Sequence, residues 1–509
     1  MATKHHWLIP DHPYPSYAAY QKATGENALA KARKASPESI LGEIERSGLR
    51  GRGGGGFPTG TKWGTISKHP CSRRSVICNA AEGEPGTFKD RWLLRRNPYA
   101  VLEGMLIAAH VVGTRELYIA IKESSGQEIE RLQRAIGEIA KEGLLEGFDL
   151  AVFPGPDEYL FGEEKALLNA IEGAGPLPRE SHYPPYERGL QATPESPNPA
   201  LVNNVETFAH VPSIVRHGWA SFRKLGTSDT PGTLLFTLSG DLAHPGVYEA
   251  EAGLPLRELF YKVGGGPKGP RSFKAALCGV SAPPIGPDKF ETRADFGSLK
   301  MIGSGLGSAG FILIDDSTSV PRVAQALARF LYVESCNQCA ACKHGLRTAS
   351  GALDELFESK TATPDDFERA LFGARSAPQG NRCFLPIQGA QLLPALLTRF
   401  KAEFDALLSR PAAAGPRFRI PKIADWDEVA RTFIYDLKQG LKNPDWTYAD
   451  QHSTKRHTVV APAPEGEAGV RLAPDVWAAI RELAEVKGIE LDRQVNDALR
   501  EWLKRGRKG

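Results

Sequence analysis

Three cysteines fall within seven positions, Cys336-Asn337-Gln338-Cys339-Ala340-Ala341-Cys342, and a fourth, Cys383, follows further on. Two residues separate each of the first three, so one tight turn can aim three thiolates at a single centre while a distant segment supplies the fourth. Zinc also accepts four thiolates, but usually as two separated pairs. Three-plus-one is the habit of a [4Fe–4S] cluster. Lys343, His344 and Arg347 beside the ligands would favour a reduced, more negative cluster, which makes electron transfer the expected role. The chain holds seven cysteines in 509 residues, too few and too odd a number for a disulfide scaffold.

Glycine is in excess, 52 residues against an expected share of about 7%. Part of the excess sits in Arg50-Gly51-Arg52-Gly53-Gly54-Gly55-Gly56-Phe57-Pro58-Thr59-Gly60-Thr61-Lys62-Trp63. Without side chains, backbone N–H groups can approach a phosphate or a planar ring closely. Arg50, Arg52 and Lys62 add cations. Gly51-x-Gly53-x-x-Gly56 matches the dinucleotide fingerprint formally, but a helix precedes it where a strand is required. It is not a P-loop, because Lys62 does not follow Gly60 directly and no Ser or Thr follows the lysine.

The remaining pattern organises the chain. Ser36-Pro37-Glu38 predicts a capped helix carrying Ile40, Leu41 and Ile44 on one face and stopping at Gly48. Asn97-Pro98 opens an apolar helix. Residues 117–121 and 150–153 read as strands around a helix over 128–139, which predicts α/β architecture up to about residue 210. From Thr233 the texture changes to strands (234–238, and again from Gly246) with one helix over 254–263, predicting a small α+β domain. Pro321 opens a helix-rich segment to about Ser409. Residues 411–469 read as an irregular Pro-rich linker, and 470–509 as a strand followed by helices.

The charge balance, 63 basic against 60 acidic residues, gives no global pull toward nucleic acid or a membrane surface. Residues 1–10 lack the apolar core of a signal peptide, and the most apolar stretch, 99–112, is too short to span a bilayer. A soluble cytoplasmic chain without membrane insertion is expected.

Three shorter segments complete the pattern: Asn79-Ala80-Ala81-Glu82-Gly83-Glu84 running on to Arg91, Gly162-Glu163-Glu164, and Asn203-Asn204-Val205-Glu206-Thr207. Asn side chains offer a flavin edge both donor and acceptor. Taken in order with the glycine loop and the cysteines, these segments resemble the flavin and NADH-binding subunit of respiratory complex I and the related diaphorase subunits of NAD-linked formate dehydrogenases and NAD-reducing hydrogenases. The resemblance runs from about residue 14 to 409.

That resemblance implies an α/β FMN-binding domain unlike a Rossmann fold (1–225, with an N-terminal extension), a ubiquitin-like β-grasp domain with a soluble-ligand-binding character (230–320), and a helical bundle holding the [4Fe–4S] cluster (321–410). It implies FMN contacts at Gly51, Arg52, Gly53, Gly54, Lys62, Asn79, Glu82, Gly162, Glu163, Asn203, Asn204 and Thr207. NAD(H) would be held by Phe57, Glu84, Glu164 and Tyr186, with the nicotinamide stacked on the flavin and Glu84 and Glu164 as the catalytic residues. The cluster would take Cys336, Cys339, Cys342 and Cys383. Hydride transfer from NADH to FMN, then single-electron steps into the cluster, is the implied chemistry. Implied partners are a thioredoxin-like [2Fe–2S] subunit and a larger iron–sulfur or catalytic subunit, peripheral to the inner membrane where the parent complex lies there.

The sequence departs from the family pattern at four places. Ala81 stands where an Asp is usual, Thr65 where a second adenine-stacking Phe is, Tyr183 where a Lys is, and Lys165 where a Thr is. These changes fall on the dinucleotide side and keep open a second reading, a flavin–iron-sulfur adaptor without NADH activity. A third reading comes from the tail alone, since residues 470–504 resemble a ribbon-helix-helix DNA-binding module. Docking or self-association is the favoured role there, and nucleic acid is not expected as a partner.

Overall fold

The computed structural model describes residues 7–180, 183–358, 362–409 and 417–448. The reading of 470–509 lies outside the described residues.

The first helix with a strong sequence signature forms as its pattern requires. Helix Pro37–Ser47 has Ser36 as N-cap, its hydroxyl accepting from the Ser39 amide, and ends on Gly48 in the left-handed region at φ 68°. Ile40, Leu41 and Ile44 are its buried face.

Four strands follow: β1 (Ser75–Ala80), β2 (Glu116–Lys122), β3 (Asp149–Gly155) and β4 (Ala200–Asn204). They form one parallel sheet in the order β3-β2-β1-β4. Period-2 alternation sends Val76, Cys78 and Ala80 of β1 into the main core and Ile77 to the opposite face. The main core lies under helices Pro98–Val112 and Val205–His217, the opposite face under helix Glu164–Ile171. Both faces are covered, as parallel strands require.

The two central helices cross closely at Gly104, where an added Cβ would lie 2.0 Å from the Phe208 carbonyl oxygen. This strand order is shared with the dinucleotide-binding doubly wound sheets. The difference lies in the glycine loop, which here precedes β1 and opens helix Thr59–Ser67 instead of following the first strand.

A second sheet contains β5 (Thr233–Gly240), β6 (Gly246–Glu251), β7 (Phe273–Leu277) and β8 (Gly310–Asp315), in the order β6-β5-β8-β7. β5 and β8 are parallel at the centre, and both outer pairs are antiparallel. The helix expected over 254–263 is shorter, a wide turn at Glu258–Val263. Leu234, Phe236 and Leu238 face this domain's own core, but Leu235 joins the first core and Ile312 and Ile314 join that of the helical bundle. The sheet is therefore buried on both faces and joins the other two cores.

The bundle comprises helices Val320–Glu334, Ala340–Glu358, Pro364–Ser376, Leu385–Arg399 and Lys401–Ser409. The irregular linker expected over 411–469 falls outside the described residues at 411–416 and 449–469, and the part between is not irregular throughout. An antiparallel hairpin forms within it, β9 (Ile423–Asp427) with β10 (Thr432–Tyr435). Phe433 and Trp426 pack on Phe88 and Trp92, and this tertiary packing outweighs a proline-rich local sequence. Among the described residues no helix is long and apolar enough to cross a membrane.

Gly104→Ala is expected to cost about 1–3 kcal/mol of stability through overpacking at the helix crossing. Thermal unfolding checks it; a melting temperature equal to that of the wild type would contradict the close packing.

Candidate active site

In a sheet ordered β3-β2-β1-β4, successive connections leave β1 in opposite directions. A crevice therefore opens at the carboxyl ends of β1 and β4, the place where ligands bind in open α/β sheets. The register sets Cys78 opposite Asn203 and Asn79 opposite Asn204, so three asparagines stand at this crevice. Asn79 Nδ2 donates to the Gly162 carbonyl at 2.8 Å. Asn203 is buried, and its Oδ1 has no hydrogen-bond partner. Asn204 caps helix Val205–His217 by accepting from the Glu206 amide, which turns that helix N-terminus and its amides toward the crevice.

The glycine loop closes over this point. The Gly51 amide donates to the Phe57 carbonyl at 2.8 Å, and the Arg52 amide to Thr207 Oγ1 at 2.8 Å. A Cβ on Gly53 would lie 3.2 Å from Asn204 Cβ, and one on Gly56, at φ 61°, would lie 2.8 Å from the Phe296 ring. The loop therefore lies flat between the sheet end and the second domain, with Gly54 beside Gly307 and Ser308. Lys62 reaches across to Glu164 (2.7 Å) and the Val202 carbonyl (3.0 Å). Phe57 stacks on Tyr186 with centroids 5.8 Å apart and planes 25° apart, leaving Phe57 42% exposed as an aromatic face for a ligand.

Three residues of the expected set do not aim side chains into the crevice. Arg52 is buried and donates to the carbonyls of Pro231 and Thr233; burial lowers its pKa to about 10. Glu82 accepts from the Asp90 amide and pairs with Arg91. Glu84 accepts from the Tyr159 hydroxyl (2.6 Å) and the Val280 amide (2.7 Å), and desolvation raises its pKa to about 7.

Glu163 caps helix Glu164–Ile171 through the Ala166 amide, and desolvation raises it to about 7 as well. Glu164, paired with Lys62, keeps 39% of its side chain exposed and is the more open of the two adjacent acids. Thr65 is exposed and bonds only the Thr61 carbonyl, so the aromatic face is formed by two rings.

The four cysteines all carry free thiols and all pack on the bundle core. Asn337, at φ 66°, makes the left-handed turn between Cys336 and Cys339 that an Asn tolerates. Burial pushes the Cys342 thiol up to about 12, with Cys336 and Cys339 adding to it, and raises Cys383, to which Cys336 and Cys342 contribute. All four thiols lie on the bundle core, where a cluster's iron atoms would favour the thiolates. Among the described residues no three His, Cys, Asp or Glu side chains are grouped closely enough to hold a metal ion. Lys343 spends its ammonium on the carbonyls of Tyr332, Ser335 and Pro444, while His344 and Arg347 are exposed.

The crevice and the thiols adjoin. Lys165 Nζ donates to the Arg382 carbonyl at 2.6 Å, and the Glu163 charge is among the causes that raise the neighbouring Cys383. Sequence reasoning missed this contact, and also Phe296, Gly307 and Ser308. Lys89 and Asp90 lie inside the segment of residues 79–91. Both are buried, and Lys89 Nζ holds Asp90, Glu206 and Asn204 at 2.8, 2.9 and 3.0 Å. Only the charges inside the motif of residues 79–91 hinted at this network.

Three family models match the chain: the Nuo51 FMN-binding domain over residues 44–213, the SLBB domain over 235–280, and the NADH-ubiquinone oxidoreductase-F iron-sulfur binding region over 322–407. They define the class, a multidomain protein with an FMN-binding domain and an iron–sulfur region. The chain is 38% identical over 399 residues to the F-type subunit, numbered 2, of the NADH-quinone oxidoreductase of Rhizobium meliloti (strain 1021), covering 76% of this chain and 93% of the relative. It is 35% identical over 402 residues to the F-type subunit of the NADH-quinone oxidoreductase of Aquifex aeolicus (strain VF5), covering 77% and 92%. The chain belongs to this family, the F-type subunits of NADH-quinone oxidoreductase. Among solved structures, an NAD+-reducing [NiFe]-hydrogenase in the H2-reduced state is similar with a TM-score of 0.70 at 30% identity, covering 80% of this chain and 69% of that one.

Because folding raises the Glu163 pKa, its contribution to stability is full below the ordinary carboxyl range and is lost as pH rises through about 7. Glu163→Gln keeps the acceptor for the Ala166 amide and removes the titration. The variant is expected to gain about 1–2 kcal/mol over wild type between about pH 5.5 and about pH 8 in denaturant unfolding. A pH-independent difference would show that Glu163 is not raised.

Proposed function

We propose that this chain is the electron-entry subunit of a larger redox complex, oxidising NADH or reducing NAD+ with FMN and passing single electrons to a [4Fe–4S] cluster. The observation that carries the reading is the contact between the two candidate cofactor segments, Lys165 Nζ on the Arg382 carbonyl, one residue before Cys383. FMN, when bound, supplies the conversion of a two-electron hydride into single-electron steps.

The chain's own residues do the rest. The amides of Gly53 and Gly54 and the N-terminus of helix Val205–His217 would bind the FMN phosphate and ring, with Gly51 and Arg52 shaping the loop through their own amide bonds. Asn79, Asn203, Asn204 and Gly162 would orient it, with Thr207 fixing the loop through the Arg52 amide. The unpartnered Asn203 Oδ1 is an acceptor suited to an N–H on the flavin edge. Phe57 and Tyr186 would stack the adenine of NAD(H), and Glu164, held by Lys62, is the acid open to the dinucleotide. Glu84 would act through Tyr159, holding a proton near neutral pH at the junction with the second sheet. Cys336, Cys339, Cys342 and Cys383 would hold the cluster.

On this reading the domains run 1–225, 230–320 and 321–410. The first binds FMN in a manner unlike the Rossmann fold, because its loop lies before β1. The second is of the ubiquitin-like β-grasp type, supported by parallel central strands flanked by antiparallel ones. A thioredoxin-like [2Fe–2S] subunit and a larger iron–sulfur or catalytic subunit would be its partners, at the periphery of a membrane where the parent complex is membrane-bound.

Anaerobic addition of NADH to the reconstituted protein is expected to bleach the flavin absorbance. Bleaching by dithionite alone would contradict NADH oxidation and favour the adaptor reading. Phe57→Ala and Tyr186→Ala are each expected to raise the KM for NADH about tenfold, the scale of one lost base–aromatic stack. The same variants should leave flavin content unchanged. An unaltered KM would move the adenine elsewhere.

A further inference from the structure

The matched iron–sulfur region ends at residue 407, yet residues 417–448 are tied into both candidate cofactor regions. One end grips the segment that follows Glu84. The Gly86 amide donates to the Pro421 carbonyl at 2.7 Å, Arg91 to the carbonyls of Ile423 and Ala424 at 2.9 Å each, and Arg95 pairs with Asp425 at 2.7 Å. The other end grips the cysteine loop. Lys442 Nζ contacts both Glu334 carboxylate oxygens at 3.0 Å, Gln439 donates to the same carboxylate, and Trp446 Nε1 donates to the Val333 carbonyl at 2.9 Å. The Pro444 carbonyl accepts from Lys343, the residue after Cys342.

Glu334 and Lys442 are 0% and 1% exposed, so neither charge has solvent to fall back on. Breaking such a pair by deleting one partner leaves an uncompensated buried charge. Glu334 lies two residues before Cys336 and also accepts from the Tyr159 amide at 3.1 Å. Without Lys442 the carboxylate would keep only Gln439, the Tyr159 amide and the Lys422 charge, and that deficit would displace the loop and oppose electron arrival at a cluster beside it.

We propose that residues 417–448 are an intramolecular clamp that fixes the cysteine loop to the flavin-side segment 86–95, with Lys442 as a positioning residue acting on the loop through Glu334. The proposal rests on the flavin and cluster reading for its electron-transfer consequence, but its mechanical part can be tested apart from that reading.

The experiment uses the full chain, reconstituted with flavin and cluster, and compares wild type with Lys442→Met, Lys442→Arg, Trp446→Phe and the double variant Glu334→Gln/Lys442→Met. Two quantities are read: hydrogen exchange of the amides of residues 332–343, and the midpoint potential of the cluster's spin signal titrated with dithionite. Lys442→Met is expected to exchange about tenfold faster or more in that stretch and to shift the cluster to a more negative potential. Lys442→Arg should restore both, and the double variant should bring the potential back toward wild type. Trp446→Phe, which removes one donor and keeps the ring, should speed exchange over 333–336 even if Lys442→Met does not fold. Unchanged exchange in Trp446→Phe, or unchanged exchange and potential in a folded Lys442→Met, overturns the clamp. If NADH fails to reduce the flavin while these responses appear, the clamp stands and the NADH reading falls.

Discussion

The structure depends most on the parallel pairing of β1 with β4. That pairing sets Asn79 beside Asn204 and Cys78 beside Asn203 at the sheet's carboxyl end, where the chain's direction of winding reverses. Everything placed at the crevice refers back to it. The glycine loop rests on Asn204, Gly162 receives Asn79, and the helix begun by Asn204 fixes Thr207 under the loop. The close crossing at Gly104 supports the pairing from below, because it seats the helix after β4 against the helix after β1.

A buried charge network keeps this arrangement specific. Lys89 is enclosed by Asp90, Glu206 and the Asn204 side chain, and both carboxylates hold its ammonium in the charged form. Buried ion pairs add little net stability, but removing one partner is costly because it strands the other charge. Here the network holds Asn204, whose Nδ2 also donates to Asp90. The second sheet adds rigidity by a different route. Its central strands feed three separate cores, so the crevice at the ends of β1 and β4 and the four thiols share a packed wall.

Much of this was legible in the sequence. Caps and stops at Ser36 and Gly48 marked helix Pro37–Ser47, the apolar runs marked β2, β3 and β5, and the spacing of Cys336, Cys339 and Cys342 marked the thiol turn. β1 and β4 were not marked. Each is a short run buried on both faces, without the alternation that identifies a half-exposed strand, and their pairing joins residues far apart in the chain. The hairpin Ile423–Tyr435 was missed for a related reason. Its stability comes from Phe88, Trp92 and Arg91, none of which is local to it. The motif segments meet at the carboxyl ends of β1 and β4, but nothing local in them shows that Arg52, Glu82 and Glu84 turn their side chains toward the protein, since direction depends on partners such as Pro231, Arg91 and Tyr159. Lys165 stood out only as a departure from the family pattern, and nothing local to it showed its reach to the Arg382 carbonyl.

The central claim is that one crevice, at the carboxyl ends of β1 and β4, holds the flavin directly beside a four-thiolate cluster. A crystal structure of the FMN-loaded, cluster-containing protein tests it most directly. The account predicts the isoalloxazine ring between the glycine loop and Asn79, Asn203 and Asn204, with a [4Fe–4S] cluster on Cys336, Cys339, Cys342 and Cys383 across the Lys165–Arg382 contact. Flavin density at another site, or a single zinc ion on the four thiolates, would contradict it.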